Sequence, residues 1–120
     1  MPLKAVHASR WDLTPAEARA LQASLAGRAE LRDRFDTPTL VAGIDIGFED
    51  QGRITRAAVA VLRWGDLEMV ESALARRPTC FPYVPGLLSF REIPAALDAL
   101  GTLACTPDLL LCDGQGLAHP

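Results

Sequence analysis

At 120 residues, with 49% hydrophobic and 22% charged side chains, the chain has the makeup of one soluble globular domain able to bury a small core, and not of a disordered polymer. Its net charge of −3 gives no basic footprint and taken alone argues against a nucleic-acid binder, although local arginines can meet phosphates on a chain that is acidic overall. No apolar run approaches the length of a membrane span and the N-terminus has no signal-peptide core, so a cytoplasmic location is expected.

Thr14, Pro15 and Glu17 have the spacing of a capping box with proline at the first helical position, which predicts a helix start. Ala18, Leu21, Leu25 and Leu31 give it an apolar face, and Asp36, Thr37 and Pro38 end it. Residues 40–48, 54–62 and 67–75 read as three strands joined by short turns, hence an antiparallel meander. Residues 76–85 are expected to project as a loop. A helix is expected over residues 94–100, with a start as early as Leu88 left open, and with Ala95, Leu97 and Leu100 facing the core. The apolar run 109–112 looks like a fully buried parallel strand, and its place after a helix predicts a crossover back beside the first strand. Cys80, Cys105 and Cys112 are odd in number and lack CxxC spacing, so they read as small buried or half-buried hydrophobes.

Several residues could do chemistry. Pro82 and Pro85 fix φ on either side of Tyr83 and remove two backbone donors, so the sequence PYVPG forms a stiff loop with an aromatic tip. Asp45 sits mid-strand, where aspartate is disfavoured, and period-two alternation places it on one face with Gly43 and Gly47. Those glycines leave room above the carboxylate for a metal ion and a phosphodiester; a strand-end aspartate bonded to a loop is the equal alternative. Asp113 and Gly114 follow the last strand, where an open α/β sheet gathers ligands and where an aspartate-glycine pair is also an ordinary turn. Glu92, placed near a helix N-terminus, could merely complement the dipole. Eleven of the twelve basic residues are arginine, whose planar fork suits phosphate, with Arg53, Arg56, Arg63, Arg76, Arg77 and Arg91 as candidates. His7, His119 and the lone G-x-G around Gln115 carry little signal.

The sequence FPYVPGLLSFRE at residues 81–92 closely resembles the signature of the endonuclease V family, which recognises deoxyinosine in nucleic acid. VAGIDIGFE, ending at Glu49, resembles the family's first strand, ITRAAVAV its second, and PDLLLCDGQGLAHP its later carboxylate segment, with Gln115 where the family often has histidine. The resemblance covers nearly all of the chain but only the N-terminal part of the family's domain. It implies a ribonuclease-H-like α/β fold: three antiparallel strands, then a helix and a parallel strand.

The resemblance also implies Asp45, Glu92 and Asp113 as catalytic metal ligands for magnesium, with manganese able to substitute, since oxygen ligands favour hard ions. Tyr83, presented by Pro82, Val84, Pro85 and Gly86, becomes a wedge between base steps, with Arg91 and Gly114 also at the substrate. The implied reaction is metal-assisted hydrolysis of the second phosphodiester bond 3′ to deoxyinosine, leaving 3′-hydroxyl and 5′-phosphate ends. The partner is deoxyinosine-containing DNA, with inosine-containing RNA as an alternative. The rest of the family domain is expected to supply covering helices, a lysine and a further metal ligand, so these residues alone should bind metal weakly and leave the last strand poorly covered. A noncatalytic nucleic-acid-binding remnant and another ribonuclease-H-like nuclease are the competing readings.

Overall fold

In the computed structural model, residues 13–28, 37–82, 84, 85 and 87–112 are described, Leu88 by its backbone only. The first helix, α1 (Pro15–Ala26), starts as its sequence dictates: the Thr14 side chain accepts from the Glu17 N–H while the Glu17 carboxylate accepts from the Thr14 N–H. It ends earlier than the apolar spacing predicts, because Gly27 caps it, and Leu31 lies outside the described residues.

Strands β1 (Leu40–Glu49), β2 (Ile54–Arg63) and β3 (Met69–Pro78) form the expected antiparallel meander. The third strand is displaced two to three residues from its expected bounds. Leu67 takes a left-handed φ of 58° in the preceding turn, and Ala73, Ala75 and Arg77 alternate inward to the strand's end. Pro78 is tolerated because β3 is an edge strand. After the helix α2 (Leu88–Gly101), β4 (Leu109–Cys112) returns parallel to β1, giving the order β3-β2-β1-β4. No described helix is long and apolar enough to cross a membrane.

One face of this sheet is covered by α2. The odd residues Thr55, Ala57, Val59 and Val61 of β2 are buried, and the last three, with Ala42, pack against Ala95, Ala99, Leu100 and Leu103. Alanine at four of these contact positions lets the helix lie close to the strands. Pro94 sits inside α2 and removes the N–H that would bond back to Phe90, yet the helix runs through it. Buried spacing follows Ala95 and Ala99, so Leu97, expected in the core, is exposed. β4 is also more open than its apolar run suggests: Leu110 and Leu111, on opposite faces, are 39% and 56% exposed, since β4 is the outer strand of the described sheet and α2 lies chiefly over β2 and β3. That agrees with the expected poor covering.

Three carboxylates act as structural clamps that the sequence does not advertise. Asp108 accepts the N–H groups of Thr39 and Leu40 at 2.9 and 3.0 Å, fixing the start of β1 beside β4. Glu71 accepts the N–H groups of Ala104 and Cys105 and the Cys105 thiol, tying the α2–β4 connection to β3. Asp66 holds the β2–β3 turn through the Glu68 N–H and Arg63. Cys105 is half-buried, whereas Cys80 and Cys112 are exposed, the latter two against expectation, because one lies beyond β3 and the other ends an edge strand.

Candidate active site

Asp45 is the sixth residue of β1 and opposes Ala58. Parity decides which way it points: Ala42, Ile44 and Ile46 pack toward α2, so Asp45 emerges on the uncovered face, exposed to solvent. There it lines a shallow, open depression of about 820 Å³ with Gly43, Ala58, Ala60, Leu74 and Leu111. A side chain added at Gly43 would meet nothing within 4 Å, so the space beside the carboxylate is real.

Gly47 has a different role from the one its sequence position suggests. A Cβ there would collide with the Arg56 guanidinium, which crosses β1 at this point. Glycine at 47 admits an arginine, and only the side toward Gly43 is open.

Glu92 is the fifth residue of α2, in its second turn rather than at the N-terminus, so simple dipole complementarity does not account for it. It stands three and seven residues before the buried Ala95 and Ala99, and therefore on the sheet-facing stripe. Partial burial pushes the Cys112 thiol up and the Glu92 charge adds to it, so Glu92 is within electrostatic reach of the end of β4. Cys112 opposes Ile44, the residue before Asp45. Both carboxylates thus flank the same end of the β1–β4 pair, Asp45 from the uncovered face and Glu92 from the helix side.

Asp113, Gly114, Tyr83 and Gly86 lie outside the described residues, as do Gln115, His7 and His119. Among the described residues no group of three or more His, Cys, Asp and Glu could hold a metal ion. The donors present, two carboxylates, have the chemistry of a hard-cation site but do not complete one.

The ends of the proline loop are anchored in a second apolar cluster. Phe81 and Leu87 are each 2% exposed and pack with Ala18 and Phe90, with Leu13, Leu21 and Val84 around them. The Phe81 and Phe90 rings lie 5.7 Å apart, tilted by 34°. The Leu87 N–H donates to the Val84 carbonyl at 3.0 Å, and Pro82 and Pro85 face solvent. The loop is therefore seated on α1 and the first turn of α2.

Arg91 sits over the Phe48 ring, 4.6 Å from its centroid, and donates to the Gly52 carbonyl at 3.4 Å. It ties α2 to the tip of the β1–β2 turn, where Asp50, Gln51 and Gly52 all have positive φ. Three of the other candidate arginines are paired with acids: Arg53 with Asp50, Arg63 with Asp66 and Arg77 with Asp98. Glu49, read from sequence only as the end of a motif, takes both Arg76 and Arg56. Its shared parity with Asp45, and the alignment of positions 56 and 76 across the meander, were the signals that could have found it.

Residues 23–120 match the family model described as Endonuclease V. The Endonuclease V of Trichormus variabilis is 57% identical over 111 residues, covering 92% of this chain and 50% of that protein. The crystal structure of Endonuclease V from Streptomyces avermitilis superposes with a TM-score of 0.83 at 46% identity, over 92% of this chain and 49% of that one. A Ciona intestinalis Endonuclease V, crystallised with DNA containing an inosine followed by a ribo-adenosine, shares the fold at a TM-score of 0.72 and 23% identity, over 89% and 49% of the two chains. The chain spans about half the length of the relatives it matches.

Proposed function

Because the chain belongs to the endonuclease V family, we propose that it forms the first half of a metal-dependent nuclease that nicks nucleic acid at the second phosphodiester bond 3′ to deoxyinosine, leaving 3′-hydroxyl and 5′-phosphate ends. The observation that carries this reading is Asp45: an exposed carboxylate in mid-strand, with open space at Gly43 beside it. A strand has no packing reason to place aspartate there.

In this reading Asp45 and Glu92, with Asp113, would hold a magnesium ion, for which manganese can substitute. Such an ion, when bound, lowers the pKa of an attacking water and stabilises charge on the departing 3′ oxygen. The chain's own part is placement. β1, paired with β2 along its whole length and with β4 up to Ile44, fixes the Asp45 carboxylate without a loop's freedom. The second turn of α2 fixes Glu92, with Arg91 holding that turn against Phe48 and Gly52. Gly43 admits the sugar-phosphate backbone to the carboxylate.

Tyr83 acts as the wedge, presented by Pro82, Val84, Pro85 and Gly86, and the buried feet Phe81 and Leu87 keep the loop from folding away when it meets stacked bases. A poorly paired inosine lowers the cost of opening the stack, which gives the lesion preference. A lysine, a further ligand and part of the lesion pocket belong to the half of the family domain these residues do not span, so the 120 residues alone cleave poorly.

The test joins these 120 residues to the second half of the Trichormus variabilis protein and supplies an end-labelled duplex carrying one deoxyinosine, with magnesium. A nick at the second bond 3′ to the lesion, absent from an inosine-free duplex and lost in Asp45→Ala, is expected; an inosine-containing RNA arm reports substrate breadth. A folded fusion that nicks at another position, or nicks without regard to inosine, refutes the reading.

A further inference from the structure

We propose that Glu49, Arg56 and Arg76 form a phosphate grip on the uncovered face of the sheet, in which Glu49 is the positioning residue that aims two guanidinium groups at the nucleic-acid backbone beside Asp45. The inference rests on the nuclease reading above and assigns a binding role to three residues outside its site. Gly47, Arg56 and Arg76 oppose one another across three strands, and the neighbouring row is Asp45, Ala58 and Leu74. Two residues of strand, roughly 7 Å, separate the rows. Because side chains alternate, both rows point to the same face.

Three features favour a ligand over a purely structural role. Arginines directly opposite one another on adjacent strands repel, so this pairing is unfavourable until something negative lies between them. Glu49 supplies one charge: its carboxylate accepts from Arg76 Nε at 2.7 Å and from Arg56 Nη1 at 3.4 Å, and the Arg76 bond is the main cause holding its pKa below the ordinary glutamate value. One positive charge remains, and each guanidinium keeps N–H donors outside these bonds. Glycine at 47 is what lets Arg56 reach across β1, because any Cβ would strike its guanidinium. The Arg76 side chain is 52% exposed and that of Arg56 38%, so solvent, and a phosphate, can reach both. Exposed ion pairs of this kind contribute little stability. Among the six candidate arginines, Arg77 and Arg91 interact with the α2 side, and Arg53 and Arg63 pair with acids of the adjoining turns.

The test measures anisotropy of a fluorescein-labelled duplex carrying one deoxyinosine, and of the inosine-free duplex, against the 120-residue chain over a salt series, with circular dichroism checking the fold of each variant. Arg56→Ala and Arg76→Ala are each expected to weaken binding of both duplexes on the order of fivefold at low salt, and the double variant to lower the slope of log K against log salt by about 2. Glu49→Ala separates positioning from plain charge. Deleting an acid from a phosphate-binding face should tighten binding if only the field matters, whereas loss of aim weakens it. We expect about threefold to tenfold weakening, and no further loss when Glu49→Ala is added to the double arginine variant.

Tighter or unchanged binding by Glu49→Ala overturns the positioning role, and an unchanged salt slope in the double arginine variant overturns the grip. If the slope falls as expected while the joined nuclease ignores inosine, the grip stands and the nuclease reading falls. If inosine-dependent nicking is found and the slope is unmoved, the grip alone falls. A folded chain that binds neither duplex at low salt overturns the grip.

Discussion

Phe81→Ala tests whether the proline loop stands on a true core. Phe81 is 2% exposed, lies 5.7 Å from the Phe90 ring and shares its cluster with Ala18 and Leu87. Truncating a buried phenylalanine to alanine costs about 3–5 kcal/mol, the transfer free energy of the lost atoms plus the cavity they leave. For a chain of this size, about 1 kcal/mol corresponds to roughly 4 °C in Tm, so a fall of about 12–20 °C is expected in thermal unfolding followed by circular dichroism at neutral pH. Phe81→Leu keeps most of the apolar volume and should cost only about 1 kcal/mol, or roughly 4 °C. Since α1 contributes Ala18 to the same cluster, Phe81→Ala should also expose α1 to proteolysis before the sheet opens. A Tm loss below about 4 °C for Phe81→Ala, or equal losses for the two variants, would refute a packed seat for the loop.

The two glycines of β1 should behave oppositely. Gly43→Ala meets open space and should leave Tm within about 2 °C of the parent while depressing nicking by the joined nuclease; Gly47→Ala should displace Arg56 and weaken duplex binding instead. Arg91→Ala removes the stack on Phe48 and should cost about 1 kcal/mol in a urea melt, with a smaller effect on the salt slope than Arg56→Ala. Acid stability follows from carboxylates whose folded pKa is lowered: Asp108 by the Leu40 and Thr39 N–H groups, and Glu71 chiefly by the Cys105 thiol. A depressed folded pKa gives stability that is present above the unfolded value, about 4, and is lost as pH falls through the folded one. Tm should therefore be flat near neutrality and drop below about pH 4, and Asp108→Asn should lower the neutral Tm and flatten that acid limb.

Much of the fold was legible because its signals are local. Thr14, Pro15 and Glu17 specify a helix start by themselves, and the short turns between the three strand-like runs specify the meander. What was missed depends on partners distant in sequence. The reach of β3 to Pro78 is set by pairing with Ile54, and the burial of Ala99 rather than Leu97 by which stripe of α2 meets the sheet. At the site, Asp45 stood out because aspartate is anomalous in mid-strand. Glu92 lies deeper in its helix than a place near the N-terminus implies, because α2 forms from Leu88, the earlier of the two starts the sequence allows, and carries Pro94 within it. Glu49 is harder to find for the opposite reason: an acid at a strand's end is ordinary until the register sets Arg56 and Arg76 side by side.

The most direct test of the central claim is inosine-dependent nicking by the purified 120-residue chain, in magnesium, beside the same residues joined to the second half of a relative and beside Asp45→Ala in both forms. Little or no nicking is expected from the 120 residues alone, lesion-dependent nicking from the joined form, and none from either Asp45→Ala protein. Undiminished nicking after Asp45→Ala, or inosine-blind cleavage by the folded joined form, would contradict it.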